Sequence, residues 1–227
     1  MVQFVWKWAL PVDFQFQDGV SLDLGCGSSP RNPAHARTLL GLDILVETPF
    51  EETNDRRYLR VSPGDSLPLR SSSVNVVSAY DFLEHLPRFD RQANGLIRNQ
   101  FIDTLNEVYR VLLPGGFFVA VTPAYPSQAA FADPTHVNPI STNTHKYFAG
   151  PALASELAYG FTGNFEEVKV GWLSWYSHIW NPSPFKRGNH PVGLDQKSRR
   201  LVRNGMQYVT LGRWPKVSHL LWVFKKV

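Results

Sequence analysis

Two carboxylates and two glycines raise the first chemical question. Asp23 precedes Gly25, Cys26 and Gly27 in LDLGCG (22–27), and Asp43 stands twenty residues after Asp23 in GLDI (41–44). Glycines at a turn let a ligand approach the main chain closely. Exposed N–H groups there bind an anionic group, and a carboxylate ending the next strand accepts both hydroxyls of a ribose. The set therefore suits a ligand that contains a nucleoside. Two histidines supply a different chemistry. His136 lies in DPTHV (133–137), where it is a candidate base or substrate contact with Asp133 as its orienting partner. The competing reading makes Asp133 a turn cap before Pro134. His85 follows Glu84 and reads as a locally packed or hydrogen-bonded pair.

The nucleoside ligand can be narrowed. A dinucleotide site uses a third glycine, in G-x-G-x-x-G, so that a helix N-terminus faces the pyrophosphate. Here Gly25-Cys26-Gly27-Ser28-Ser29-Pro30 has none, and Pro30 and Pro33 keep any helix before Thr38 short. Asp23 would repel a phosphate. A ligand with ribose hydroxyls, an ammonium group and no phosphate fits better, and S-adenosylmethionine is such a ligand. An NAD-dependent oxidoreductase is the least favoured alternative for the same reason. Cys26 reads as a small buried residue that packs the turn.

Strands must carry these residues. Short apolar runs at 20–24, 38–44, 58–61, 74–79, 117–122, 165–175 and 218–224 read as strands. Ile97, Phe101, Leu105, Val108 and Leu112 recur at helical spacing and predict a helix over 93–113, stopped by Pro114-Gly115-Gly116. A second helix is expected over 144–159, ending at Gly160. Strands alternating with helices indicate an α/β fold with a mostly parallel sheet, whose ligands sit at the carboxyl ends of the strands. No repeat divides the chain, so residues 1–227 read as one domain, with an insertion at 177–216 too long for a plain loop.

Composition sets the outer limits. The chain has 227 residues, 43% apolar and 19% charged, which excludes a disordered or collagen-like protein. No run approaches the ~20 apolar residues of a membrane helix, and the opening MVQFVWKWAL contains Lys7 and lacks a small-residue cleavage site, so it is not read as a signal peptide. A single cysteine excludes an internal disulfide and a cysteine-cluster metal site. A cytoplasmic location is expected. The net charge of +4 is uneven: residues 161–227 hold 11 Lys and Arg against 3 Asp and Glu. Trp172, Trp175, Tyr176 and Trp180, followed by Lys186, Arg187, Lys197, Arg199, Arg200 and Arg203, suit a lid that attracts an anionic acceptor. They equally suit single-stranded nucleic acid, a membrane surface, or core tryptophans beside a solvated basic face.

Taken in order, these segments resemble class I S-adenosylmethionine-dependent methyltransferases, of the small Methyltransferase-11-like kind with a shortened first helix. LDLGCG (22–27) and GLDI (41–44) are similar to the family's first two motifs. GDSLPLRSSSVNVV (64–77) is similar to its acid-x-leucine-proline loop and fourth strand, YDFLEHL (80–86) to the segment after that strand, and LNEVYRVLLPGGFFVAVTP (105–123) to its helix, turn and fifth strand. The resemblance implies a Rossmann-like, seven-stranded, mostly parallel sheet with helices on both faces and an antiparallel C-terminal strand pair. It implies S-adenosyl-L-methionine as cofactor. Asp23 would face the methionine amino group, and Gly25, Cys26 and Gly27 would line the amino-acid head. Asp43 would take the ribose hydroxyls, and Ile44 would pack on the adenine. Asp65 would accept from the adenine amino group, with Ser66 and Leu67 offering backbone contacts. Ala79 and Tyr80 would sit near the sulfonium, where a carbonyl or an aromatic face favours positive charge.

Two features depart from the family pattern. Asn75 stands where an Asp is usual, and the prolines after Gly27 remove most of the first helix's dipole from the head group. Asp81-x-x-Glu84-His85 also resembles the metal site of coenzyme Q biosynthetic O-methyltransferases and small-RNA 2′-O-methyltransferases, with His136 as a further ligand. A hard cation such as magnesium prefers oxygen ligands, so no metal is assigned. The expected activity is methyl transfer to a small-molecule or glycan-like acceptor, anionic acceptors included, at oxygen. The alternatives are an RNA methyltransferase using the basic C-terminal segment, and a non-catalytic fold relative that binds a partner.

Overall fold

The computed structural model describes residues 16–44, 53–149, 159–174 and 217–227. The insertion at 177–216, its cationic residues and most of the helix expected over 144–159 lie outside them.

The first two strands are short and almost wholly buried, as strands covered on both faces must be. β1 (Val20–Leu24) pairs in parallel with β2 (Thr38–Asp43), and β2 with β3 (Arg56–Arg60). β4 (Val74–Tyr80) lies on the other side of β1. A one-turn 3₁₀ segment, Leu83–His85, follows it. Next come β5 (Asp90–Arg91) and β6 (Ile97–Arg98), a two-stranded hairpin. Helix α1 (Gln100–Val111) leads into β7 (Leu112–Pro123). After the short α2 (Ala129–Ala132) and a 3₁₀ turn at Thr144–Tyr147, β8 (Phe165–Ser174) and β9 (Val217–Lys226) complete the sheet. Its order is β3-β2-β1-β4-β7-β9-β8, with β9 antiparallel to both neighbours. This is the expected seven-stranded, mostly parallel α/β sheet with an antiparallel C-terminal pair.

The helix before β7 starts later than the periodicity predicts. Gly95, at φ +85, turns the chain into the β5–β6 hairpin, and Asn99 caps the helix by accepting from the Ile102 N–H at 3.1 Å. Ile97, expected on the buried helix face, is therefore exposed on β6, while Phe101, Leu105 and Val108 are buried as expected. Between residues 144 and 147 the chain forms a 3₁₀ turn instead of an α-helix.

Alternation along the strands builds two cores. Leu22, Val77, Phe118, Trp222 and Phe224 face α1, whereas Val76, Tyr80, Val119, Val121 and Val223 form a second cluster packed by Ala34 and Phe16. Of the helices expected on both faces, the described residues place α1 on the first. Asn75 ties β4 to the start of β1 by accepting from the Val20 N–H at 2.9 Å. Among the described residues no helix is long and apolar enough to cross a membrane.

Candidate functional site

The parallel register carries the ends of β1, β2 and β4 to one edge. Leu24 pairs with Leu42 on one side and with Ala79 on the other. The glycine turn then folds back over that edge: the Cys26 N–H donates to the Leu42 carbonyl at 3.1 Å, and the Gly27 N–H to the Asp43 carboxylate at 2.9 Å. The two motifs recognised separately in the sequence thus become one structure.

The glycines have different jobs. Both adopt positive φ, +64 at Gly25 and +53 at Gly27. A Cβ on Gly25 would meet Phe82 Cδ2 at 2.5 Å, whereas nothing stands within 4 Å of one on Gly27. Gly25 is required by protein packing, and Gly27 presents bare main chain to open space. Ile44, which follows β2, is 41% exposed.

Asp23 is buried beneath this turn. It accepts from the Arg31 N–H at 2.7 Å and from the Ser78 hydroxyl at 2.6 Å. Burial raises its pKa to about 7, and these two hydrogen bonds oppose the shift without cancelling it. Burial, with Asp23 and Asp43 nearby, pushes the Cys26 thiol up to about 12, in keeping with a packing role.

Tyr80 has a neighbour the sequence did not suggest. Its ring is buried, and the Arg31 guanidinium sits 4.6 Å from the ring centroid. The aromatic face expected to serve a sulfonium already carries a cation. Ala79, fully buried, packs into the α1-side core.

On the β3 side, Asp65 is exposed and ion-paired with Arg98 at 3.1 Å. The Leu67 N–H donates to Glu107 on α1 at 2.6 Å, and the Ser66 hydroxyl donates to the same carboxylate at 3.2 Å. The Leu67 N–H thereby fastens the loop to the helix. Arg110, three residues on, holds Glu107 in turn at 2.7 Å, and this hydrogen bond keeps the Glu107 carboxyl below the usual range.

A second constellation forms beyond β4 and β7. The DPTHV loop docks on the 3₁₀ segment, where the Glu84 carbonyl accepts from the N–H groups of Val137 and Asn138 at 3.0 and 2.9 Å. His136 Nε2 consequently lies 3.9 Å from Glu84 Oε1 and 4.0 Å from Asp133 Oδ2. Its Nδ1 is 3.3 Å from the Ala130 carbonyl. Asp133 also caps its own turn, accepting from the Thr135 N–H and hydroxyl at 2.8 and 2.6 Å. Those bonds hold its carboxyl below the ordinary value. The turn cap is present in the structure, and the contact of Asp133 with His136 is the 4.0 Å approach to Nε2.

Glu84 is the residue the sequence undervalued. It is buried, Thr122 donates to its Oε2 at 3.0 Å, and its Oε1 has no hydrogen-bond partner among the described residues. Burial raises its pKa to about 8. Glu84, His85 and His136 bring ligand-type atoms within 4.8 Å of one another. Asp81 does not join them, since its carboxylate pairs with His219 at 3.1 Å. No periodicity marks Glu84 as unpaired; that depends on which loop docks against it.

These two raised carboxyls make stability pH-dependent. Asp23 and Glu84 bind protons more tightly in the fold than at their ordinary values of 3.8 and 4.5. Their contribution is full below about pH 4 and is lost as pH rises through about 7 and 8. Denaturant melts should show stability falling between pH 5 and 8, and Glu84→Gln should flatten that slope. An unchanged slope in the variant would contradict the assignment.

Comparison with known proteins agrees with this architecture. Residues 22–120 match the family model described as a methyltransferase domain. No curated protein matches the chain by sequence. Among solved structures, a SAM-dependent methyltransferase from Archaeoglobus fulgidus is similar at 17% identity and TM-score 0.53, over 93% of this chain and 88% of that one. A Haloferax volcanii protein solved with the Trm112 methyltransferase activator is similar at 18% identity and TM-score 0.53, over 93% and 84%. Geranyl diphosphate C-methyltransferase from Streptomyces coelicolor, solved with Mg²⁺, geranyl diphosphate and S-adenosyl-L-homocysteine, is similar at 13% identity and TM-score 0.51, over 94% and 74%.

Proposed function

Starting from a chain with the class I S-adenosylmethionine-dependent methyltransferase fold and a methyltransferase domain at 22–120, we propose that it methylates a small-molecule or glycan-like acceptor at oxygen. The observation that carries the reading is the open main-chain face of Gly27, closed on one side by Asp43 and floored by buried Asp23. It fits a nucleoside with an amino-acid head. Asp43, a carboxylate at the end of β2, is the acceptor type that ribose hydroxyls take. An ammonium group near Asp23 would favour its charged form despite burial. Exposed Ile44 offers an apolar surface to a base, with Asp65 and the Ser66 main chain at its far edge.

When bound, S-adenosylmethionine supplies a methyl group already activated by positive charge. The protein's task is then alignment, which alone accounts for a large share of such accelerations, and removal of the acceptor's proton. In this reading His136 takes this proton, Asp133 fixes the loop, and Glu84 Oε1 lies 3.9 Å from His136 Nε2. A cavity of about 560 Å³ walled by Phe89, Tyr147 and Phe161 is lined by neither His136 nor the glycine turn, so it is not assigned to the acceptor.

The reading is tested by incubating the protein with methyl-labelled donor and fractionated cell extract, followed by mass spectrometry. Label in the small-molecule or glycan fraction is expected. Label confined to RNA would overturn the acceptor class, and donor binding without methyl consumption would make this a binding protein.

The turn makes a sharper prediction. Gly25→Ala forces Phe82 to move and strains a left-handed residue, so it should cost roughly 1–3 kcal/mol of stability in denaturant melts. Gly27→Ala meets no protein atom and should cost about 1 kcal/mol, yet weaken S-adenosylhomocysteine binding in calorimetry. Equal effects of the two variants on binding would argue against an open face that receives the ligand.

A further inference from the structure

We propose that Arg31 recognises the carboxylate of the cofactor's amino-acid group, as a substitute for the helix N-terminus this chain lacks. The proposal rests on the S-adenosylmethionine reading above. Pro30 and Pro33 bracket Arg31, and the segment forms no helix. Local bonds build it instead: Asn32 donates to the Ala36 carbonyl at 2.7 Å and accepts from the Ala36 N–H at 3.0 Å, with His35 at φ +50 between them. No aligned helix dipole therefore points at the glycine turn, and an anionic head group needs its positive charge from elsewhere.

Arg31 is placed to provide it. Its N–H donates to Asp23 at 2.7 Å, which fixes its backbone at the end of β1. Its guanidinium reaches across to the Tyr80 ring, 4.6 Å away at the end of β4. The side chain thus spans the two strand ends flanking the glycine turn. Its charge is felt at Asp23, Cys26 and Tyr80, three residues of the same crevice. The residue is half-buried, and among the described residues no carboxylate lies within ion-pair distance of its guanidinium. A partly buried guanidinium without an ion pair among the described residues is placed to receive an incoming anion. The guanidinium fork matches a carboxylate bidentately, and the Tyr80 ring holds it at one side of the crevice. Asp23 and Arg31 then form a charge pair complementary to an α-amino acid: the acid for the ammonium, the guanidinium for the carboxylate.

Calorimetry with two probes tests this. S-adenosylhomocysteine carries the carboxylate; S-adenosyl-3-thiopropylamine keeps the nucleoside, thioether and ammonium but lacks it. In the wild-type protein the first should bind more tightly. Arg31→Ala should weaken the first by about 10- to 100-fold and leave the second unchanged, and Arg31→Lys should restore part of the loss. Unchanged binding of the second probe shows that the variant is folded. Equal weakening of both probes would make Arg31 a structural support for Tyr80 and overturn the proposal, as would unchanged binding of S-adenosylhomocysteine. Failure of the wild-type protein to bind either probe would instead remove the cofactor reading itself, and this proposal with it.

Discussion

Asp43→Ala should abolish measurable binding of S-adenosylhomocysteine. Two ribose hydroxyls donating to one carboxylate make charge-assisted hydrogen bonds, each worth about 1.5–3 kcal/mol. Together they correspond to a loss on the order of 100-fold or more in affinity. The variant also loses the acceptor for the Gly27 N–H, a 2.9 Å bond that joins the glycine turn to the end of β2. The turn keeps its second tie, the Cys26 N–H to the Leu42 carbonyl, so the fold should survive. Isothermal calorimetry reads the affinity, and a denaturant melt confirms folding. Retained affinity in a folded variant would withdraw Asp43 from the site.

His136→Ala should leave cofactor affinity intact and lower kcat by about 10²–10⁴-fold, the usual size of a general-base contribution. The reason is positional. His136 belongs to the loop docked on Glu84, not to the glycine turn, so its loss removes a proton acceptor without touching the nucleoside site. Glu84→Gln should give a smaller loss, because it removes the ionisable group nearest His136 Nε2 and keeps the Thr122 bond able to form. Single-turnover kinetics with the labelled donor, once an acceptor is identified, measures both. A His136→Ala enzyme with unchanged turnover would mean that the acceptor needs no base, or that another group provides one.

Much of the frame was readable because its causes are local. Residues 20–24 and 38–44 read as short strands, the first ended by a glycine turn and the second carrying Asp43 near its end, an order that leads both to one ligand edge. The late start of α1 was not readable from periodicity, since Ile97 fits the helical spacing while Asn94-Gly95 and the Asn99 cap select a hairpin before it. Leu67 shows the same limit from the other side. Its N–H belongs to a motif, but Glu107, forty residues on in the sequence, claims it.

The amino-acid sequence by itself determined the parallel sheet, the glycine turn and the acids at the strand ends, since strand pattern and turn chemistry act between near neighbours along the chain. Tertiary structure alone decided which groups ended up partnered: the orphan oxygen of Glu84 beside His136, the cation of Arg31 over Tyr80, and Asp81 turned away to His219. Burial and ion pairing depend on contacts between segments far apart in sequence, and no spacing rule specifies where those segments meet.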